Sequence, residues 1–149
     1  MYKIILFAYN GSQEGQDALT DTKELALWSG SQVWLVAVNP GFNDFALPDG
    51  GVFNYAWDEV DKARYQDILQ DGMHKLVQAG FEVQGQVLQG DPVREISKFA
   101  AGISADLIVV GHRHLDSSIA RWWSGSISSA LVEEAPCSVF CVISKKPAA

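Results

Sequence analysis

Short apolar runs and amphipathic helical stretches take turns along this 149-residue chain. Few folds accept that rhythm. Two parallel strands can be joined only by a long crossover, usually a helix, so repeated strand–helix alternation means a parallel sheet with helices on both faces. Lys3 to Tyr9 reads as the first strand, and Ser12 is placed to cap a helix running to about Gly30, with Ala18, Leu19, Thr22, Leu25 and Ala26 on its inner face. Val33 to Val38 reads as a second buried strand. Asp58 to Ala79 reads as a long helix with Tyr65, Leu69, Leu76 and Val77 inward, ended by Gly80. The alternating stretch Phe81 to Val87 suits an edge strand with one wet face. Asp91-Pro92 is an N-cap acid followed by proline at the first helical position, and Val93, Ile96, Phe99, Ala100 and Ile103 form the stripe behind it. Asp106 to Val110 is a strand closed by Gly111. Gly125-Ser126 starts a helix to Glu134, Ala135-Pro136 stops it, and Ser138 to Ile143 is the last strand before the tail Lys145 to Ala149. The expectation is one doubly wound α/β domain over residues 1–149.

Composition narrows the function classes. Hydrophobic residues make up 48% and charged residues 19%, which is a globular profile. A net charge of −7 without a basic cluster repels a nucleic acid or an anionic membrane, so neither is an expected partner. The longest apolar runs are too short to span a bilayer, and the amino-terminal stretch lacks the pattern of a signal peptide, so a cytoplasmic location is expected. Cys137 and Cys141 lie in one strand-like run. Four residues of strand span about 13 Å, against the roughly 7 Å that a disulfide allows, so the two are read as buried core thiols.

Two connections exceed ordinary loop length, 39–56 and 112–124, and both leave the carboxyl ends of strands. In an open parallel sheet, ligands bind beyond those ends where the chain direction switches. Gly111 at a strand end and Gly125-Ser126 at a helix start have the form of an anion cradle: glycine admits close approach, and first-turn N–H groups favour negative charge. Arg113, Arg121, His112 and His114 give the intervening loop a positive bias against the single acid Asp116. A solvated loop with an ordinary helix cap is the alternative reading of the same residues. Neither the Gly-rich dinucleotide fingerprint nor the P-loop motif is present.

Asn10-Gly11-Ser12, Gly90-Asp91-Pro92, the run from Ala105-Asp106-Leu107 to Gly111, Gly125-Ser126 and Ala135-Pro136-Cys137-Ser138-Val139 follow one another in this order. The set resembles the hallmarks of universal stress proteins, in which the first element is Asp-Gly-Ser, and the likeness extends over nearly the whole chain. The resemblance implies an adenine nucleotide alpha hydrolase-like fold, a five-stranded parallel sheet in order 3-2-1-4-5. It also implies a homodimer through the last strand, Ser138 to Ile143, and ATP or a related adenine nucleotide as ligand. Carried over by residue, Asn10 would contact the nucleoside and Val38 the adenine. Gly111, Gly125 and Ser126 would hold ribose and phosphates. Ala8, Tyr9, Val110 and Ile127 would form flanking walls, and Arg113 and His114 would lie in the phosphate loop. Against the family motif Gly-x2-Gly-x9-Gly-Ser/Thr, this chain has Asn10 for the early aspartate, His114 for the second glycine, and ten residues between His114 and Gly125.

The remaining features add little chemistry. His112 and His114 alone make a poor metal site, so metal is expected only as Mg2+ brought in with the nucleotide. No nucleophile, base and orienting acid form a recognisable set, so no catalytic residue is assigned. Trp122-Trp123 and the aromatic-rich 39–56 stretch read as packing flaps or lids. The leading expectation is a stress-response protein binding an adenine nucleotide. Its rivals are a nucleotide-free dimeric interaction module and a slow ATPase.

Overall fold

The computed structural model describes residues 2–10, 18–19, 30–40, 45–46, 52–53, 59–112 and 125–143. Its elements in chain order are β1 (Ile4–Ala8), β2 (Gln32–Asn39), β3 (Phe45–Ala46), β4 (Val52–Phe53), α1 (Glu59–Gln78), β5 (Val83–Gln89), α2 (Pro92–Gly102), β6 (Leu107–His112), α3 (Gly125–Glu134) and β7 (Ser138–Ile143). Ala18 and Leu19 are helical as well. The main sheet has the order β5-β2-β1-β6-β7 and every pair in it is parallel. Counting only these five strands, that is the expected order 3-2-1-4-5.

Strand alternation divides the core into two layers. Ile5, Phe7 and Tyr9 of the β1 segment join Val33, Leu35 and Ala37 of β2, Leu69 and Leu76 of α1, and Ala18 and Leu19 on one face. Leu6 and Ala8 join Val36, Val38, Leu88, Ile108 and Val110 on the other face, beneath Val93, Ile96 and Ala100 of α2 and Ile127 and Leu131 of α3. A central strand buried on both sides must be apolar throughout, which is why Ile4–Ala8 reads as a continuous hydrophobic run. The edge strand β5 instead alternates half-buried and exposed positions from Val83 to Gln86.

Helix ends follow local chemistry. The Asp91 carboxylate accepts from the Arg94 amide at 2.9 Å, capping α2, with Pro92 at its first turn. After α1, Gly80 at φ +97° donates to the Val77 carbonyl and Phe81 donates to Leu76, a Schellman closure whose apolar contact is Leu76 with Phe81. α2 ends the same way, with Ser104 donating to Ala101 and Ala105 to Ala100, but the left-handed position is held by Ser104 at φ +56°.

Several expectations are corrected. Val77 is 55% exposed, and Gly72 takes the inward position instead. A Cβ on Gly72 would lie 2.7 Å from both the Leu35 side chain and the Tyr9 ring, so α1 reaches the sheet only because that residue has none. The 39–56 connection carries the two-residue antiparallel pair β3–β4. β6 continues through Gly111 to His112. Cys137 and Cys141 are free and only half-buried, packed beside the α2–α3 core layer rather than within it. Burial, followed by the Asp106 charge, raises the Cys137 thiol pKa. Ser12, Arg113, His114, Trp122, Trp123 and the Lys145–Ala149 tail lie outside the described residues.

Candidate functional site

β1 is shorter at its carboxyl end than both of its neighbours. Ala8, its last residue, is in register with Val36 of β2 and Val110 of β6. β2 continues to Asn39 and β6 to His112. Among the described residues, the two flanking strands therefore project past β1 and leave a notch above it. Ala8, Tyr9 and Asn10 form the floor, Val38 stands on one side, and Val110 to His112 on the other. The helix containing Ala18 and Leu19, which follows β1, belongs to the α1 face, whereas α3, which follows β6, belongs to the opposite face. Adjacent strands whose helices leave in opposite directions define a topological switch point, the usual ligand position in an open α/β sheet.

The sequence-derived candidates fall as follows. Ala8, Val38, Val110 and Ile127 are buried together in the α2–α3 layer. Gly111 is the penultimate residue of β6, paired with Val142. Gly125 and Ser126 open α3, and the first-turn N–H groups of a helix favour an anion. Asn10 lies two residues past Ala8, is half-buried and is engaged in a contact.

Tyr9 belongs to the opposite layer, with its side chain 1% exposed and packed under α1. Its amide donates to the Val36 carbonyl at 2.9 Å. Its hydroxyl donates to Asp71 Oδ2 at 2.8 Å, and Lys75 Nζ donates to the same oxygen at 3.0 Å. The Lys75 ammonium lies 6.0 Å from the centroid of the Tyr9 ring, within cation–π range. Burial, then the bond to Asp71 and its charge, push the phenol pKa well above its ordinary 10.0, so Tyr9 stays neutral. The bonds from Lys75 and Tyr9, in that order, hold the Asp71 carboxyl below its ordinary 3.8. Sequence spacing makes the Asp71–Lys75 pair visible as an i,i+4 helix pair. Nothing local signals that it meets Tyr9, 62 positions away.

Among the described residues there is no group of three or more side chains able to hold a metal ion, and no helix is long and apolar enough to cross a membrane. A cleft of about 540 Å³ lies at the opposite end of the sheet, lined by Gly30 to Gln32 and Gly80 to Gln84. Its one ionisable side chain is Glu82, and it sits beside strand amino ends, away from the switch point.

The universal stress protein family model matches residues 1–142. The chain belongs to the universal stress protein family. A universal stress protein of Thermus aquaticus is 32% identical over 143 residues, covering 95% of this chain and 99% of the relative. Among solved structures, a universal stress protein in complex with cAMP superposes with a TM-score of 0.70 at 17% identity, covering 97% of this chain and 98% of the other. The Archaeoglobus fulgidus universal stress protein in complex with dAMP gives a TM-score of 0.68 at 19% identity, with coverage of 95% and 98%. At these identities the structures establish the shared UspA-type fold.

Proposed function

We propose that this protein binds an adenine nucleotide in the notch above β1 and acts as a regulatory universal stress protein of the cytoplasm. The observation that carries the reading is the notch itself. It is a switch-point crevice whose apolar wall would rest on the buried Ala8, Val38, Val110 and Ile127, with a glycine on the projecting end of β6 and the amino end of α3 beginning with Gly125-Ser126. That set suits the two halves of a nucleotide: the apolar wall takes the base, and backbone N–H groups with a hydroxyl take phosphate. The solved relatives bound to cAMP and dAMP support the ligand class.

Asn10 offers the ribose an amide in place of a carboxylate, giving a bond without charge assistance. In this reading Tyr9 contributes through its backbone, and Arg113 and His114 supply the phosphate loop. Mg2+ accompanies the ligand only when a di- or triphosphate is bound. The place of β7 at the end of the main sheet among the described residues, with Phe140 45% exposed, supports a homodimer formed through that strand. Nucleotide binding would change the surface offered to a partner protein.

The test is extraction of ligand from freshly purified protein, followed by calorimetric titration with ATP, ADP, AMP and cAMP. Bound adenine nucleotide or a saturable heat with any of the four is expected. An empty protein with no heat at millimolar ligand would overturn the proposal. It would favour the nucleotide-free dimeric module, a reading motivated by His114 in a glycine's place and by the ten-residue spacing to Gly125.

A further inference from the structure

We infer that Tyr9 is a positioning residue for Asn10, acting through the Asp71 carboxylate of α1. The inference deepens the adenine-nucleotide reading, and its consequence for affinity rests on that reading. At Ala8 the backbone still has strand neighbours on both sides. At Tyr9 the strand pairing has ended, and its amide donates to the Val36 carbonyl at 2.9 Å. That bond lies in the plane of the sheet and fixes only one side of the chain.

The second anchor leaves the sheet at right angles. The Tyr9 side chain runs through the helix layer under Gly72, where the absence of a Cβ lets the ring lie against α1. Its hydroxyl then reaches the outer side of α1 and donates to Asp71 Oδ2 at 2.8 Å. Lys75 Nζ holds the same oxygen at 3.0 Å, so the acceptor is itself held in place. Two anchors in perpendicular directions fix both the position and the tilt of Tyr9. The following peptide is planar, with its next Cα about 3.8 Å away, so they also fix where Asn10 begins. Burial alone would account for an aromatic residue here. The hydroxyl adds a directed bond to a carboxylate that Lys75 also holds.

The test compares Tyr9→Phe, Asp71→Ala and the double variant with the unaltered protein. Amide exchange of Tyr9 and Asn10 is followed by NMR without nucleotide, and AMP affinity by calorimetry. Asp106→Ala serves as a control that loosens β1 at its other end. Each single change should speed exchange at Tyr9 and Asn10 and weaken AMP about fivefold, the usual scale of one hydrogen bond. The double variant should do no more than either single one, because both remove the same link. Unchanged exchange in Tyr9→Phe would overturn the inference. So would equal acceleration at these two amides in Asp106→Ala, which would reduce the effect to general loss of stability. Accelerated exchange in a protein that gives no heat with AMP would leave the positioning role standing and remove the nucleotide reading alone.

Discussion

The Asp106 carboxylate sits just before β6 and accepts from the amides of Lys3 and Ile4, both at 2.9 Å. The Asp106 amide in turn donates to the Ile4 carbonyl at 2.8 Å. These bonds tie down the amino end of the central strand. In the sequence, this aspartate stands out only as part of the run that leads to Gly111 and the candidate site. Its partners are about a hundred positions away, and no local pattern announces them. The bonds from Ile4 and then Lys3 hold its carboxyl below the ordinary 3.8. A carboxyl depressed on folding contributes stability above its unfolded pKa and loses it as the pH falls through its folded pKa. Asp106→Ala should therefore lower the urea midpoint at neutral pH. The gap from the unaltered protein should narrow as the pH drops below 3.8 toward the depressed value. A gap that stays constant on acidification would show that the carboxylate charge is not what matters.

At the scale of elements, the clearest sequence signals were those with a local cause. Asp91-Pro92 starts α2, Gly80 ends α1, and the alternation after Phe81 marks an edge strand. What periodicity could not decide was which residues of α1 face the sheet. Val77 looks inward by composition, whereas the inward position belongs to Gly72, a residue with no side chain to signal it. Gly72→Ala should cost roughly 1–3 kcal/mol, because its Cβ would meet the buried Leu35 and Tyr9 side chains. Chemical denaturation would measure this, and a neutral effect would mean that α1 can slide outward freely. Ser104 offers the opposite case, an exposed left-handed residue closing α2 at φ +56°. Ser104→Gly should stabilise the protein by about 0.5–1 kcal/mol, the relief of side-chain crowding less the added freedom of the unfolded chain. A lower denaturation midpoint would contradict that assignment. The β3–β4 pair leaves no sequence signal, because two-residue strands are too short to show a period.

For the whole molecule, strand–helix alternation was sufficient for the parallel sheet, and the family motifs for the order of its strands. The notch above β1 was legible only as a region. Its shape depends on β2 and β6 extending past Ala8, a matter of register between strands distant in sequence. The same register sorts the candidate residues. Ala8, Val38, Val110 and Ile127 converge on one side of the sheet, and the Tyr9 side chain anchors on the other. The central claim is that an adenine nucleotide occupies that notch. Its most direct test is an NMR titration of the protein with AMP, read residue by residue. Saturable shifts concentrated at Ala8, Asn10, Val38, Val110, Gly111 and Ile127 are predicted, with Ser31 and Glu82 at the other end of the sheet unmoved. Shifts confined to that other end, or none at millimolar AMP, would contradict it.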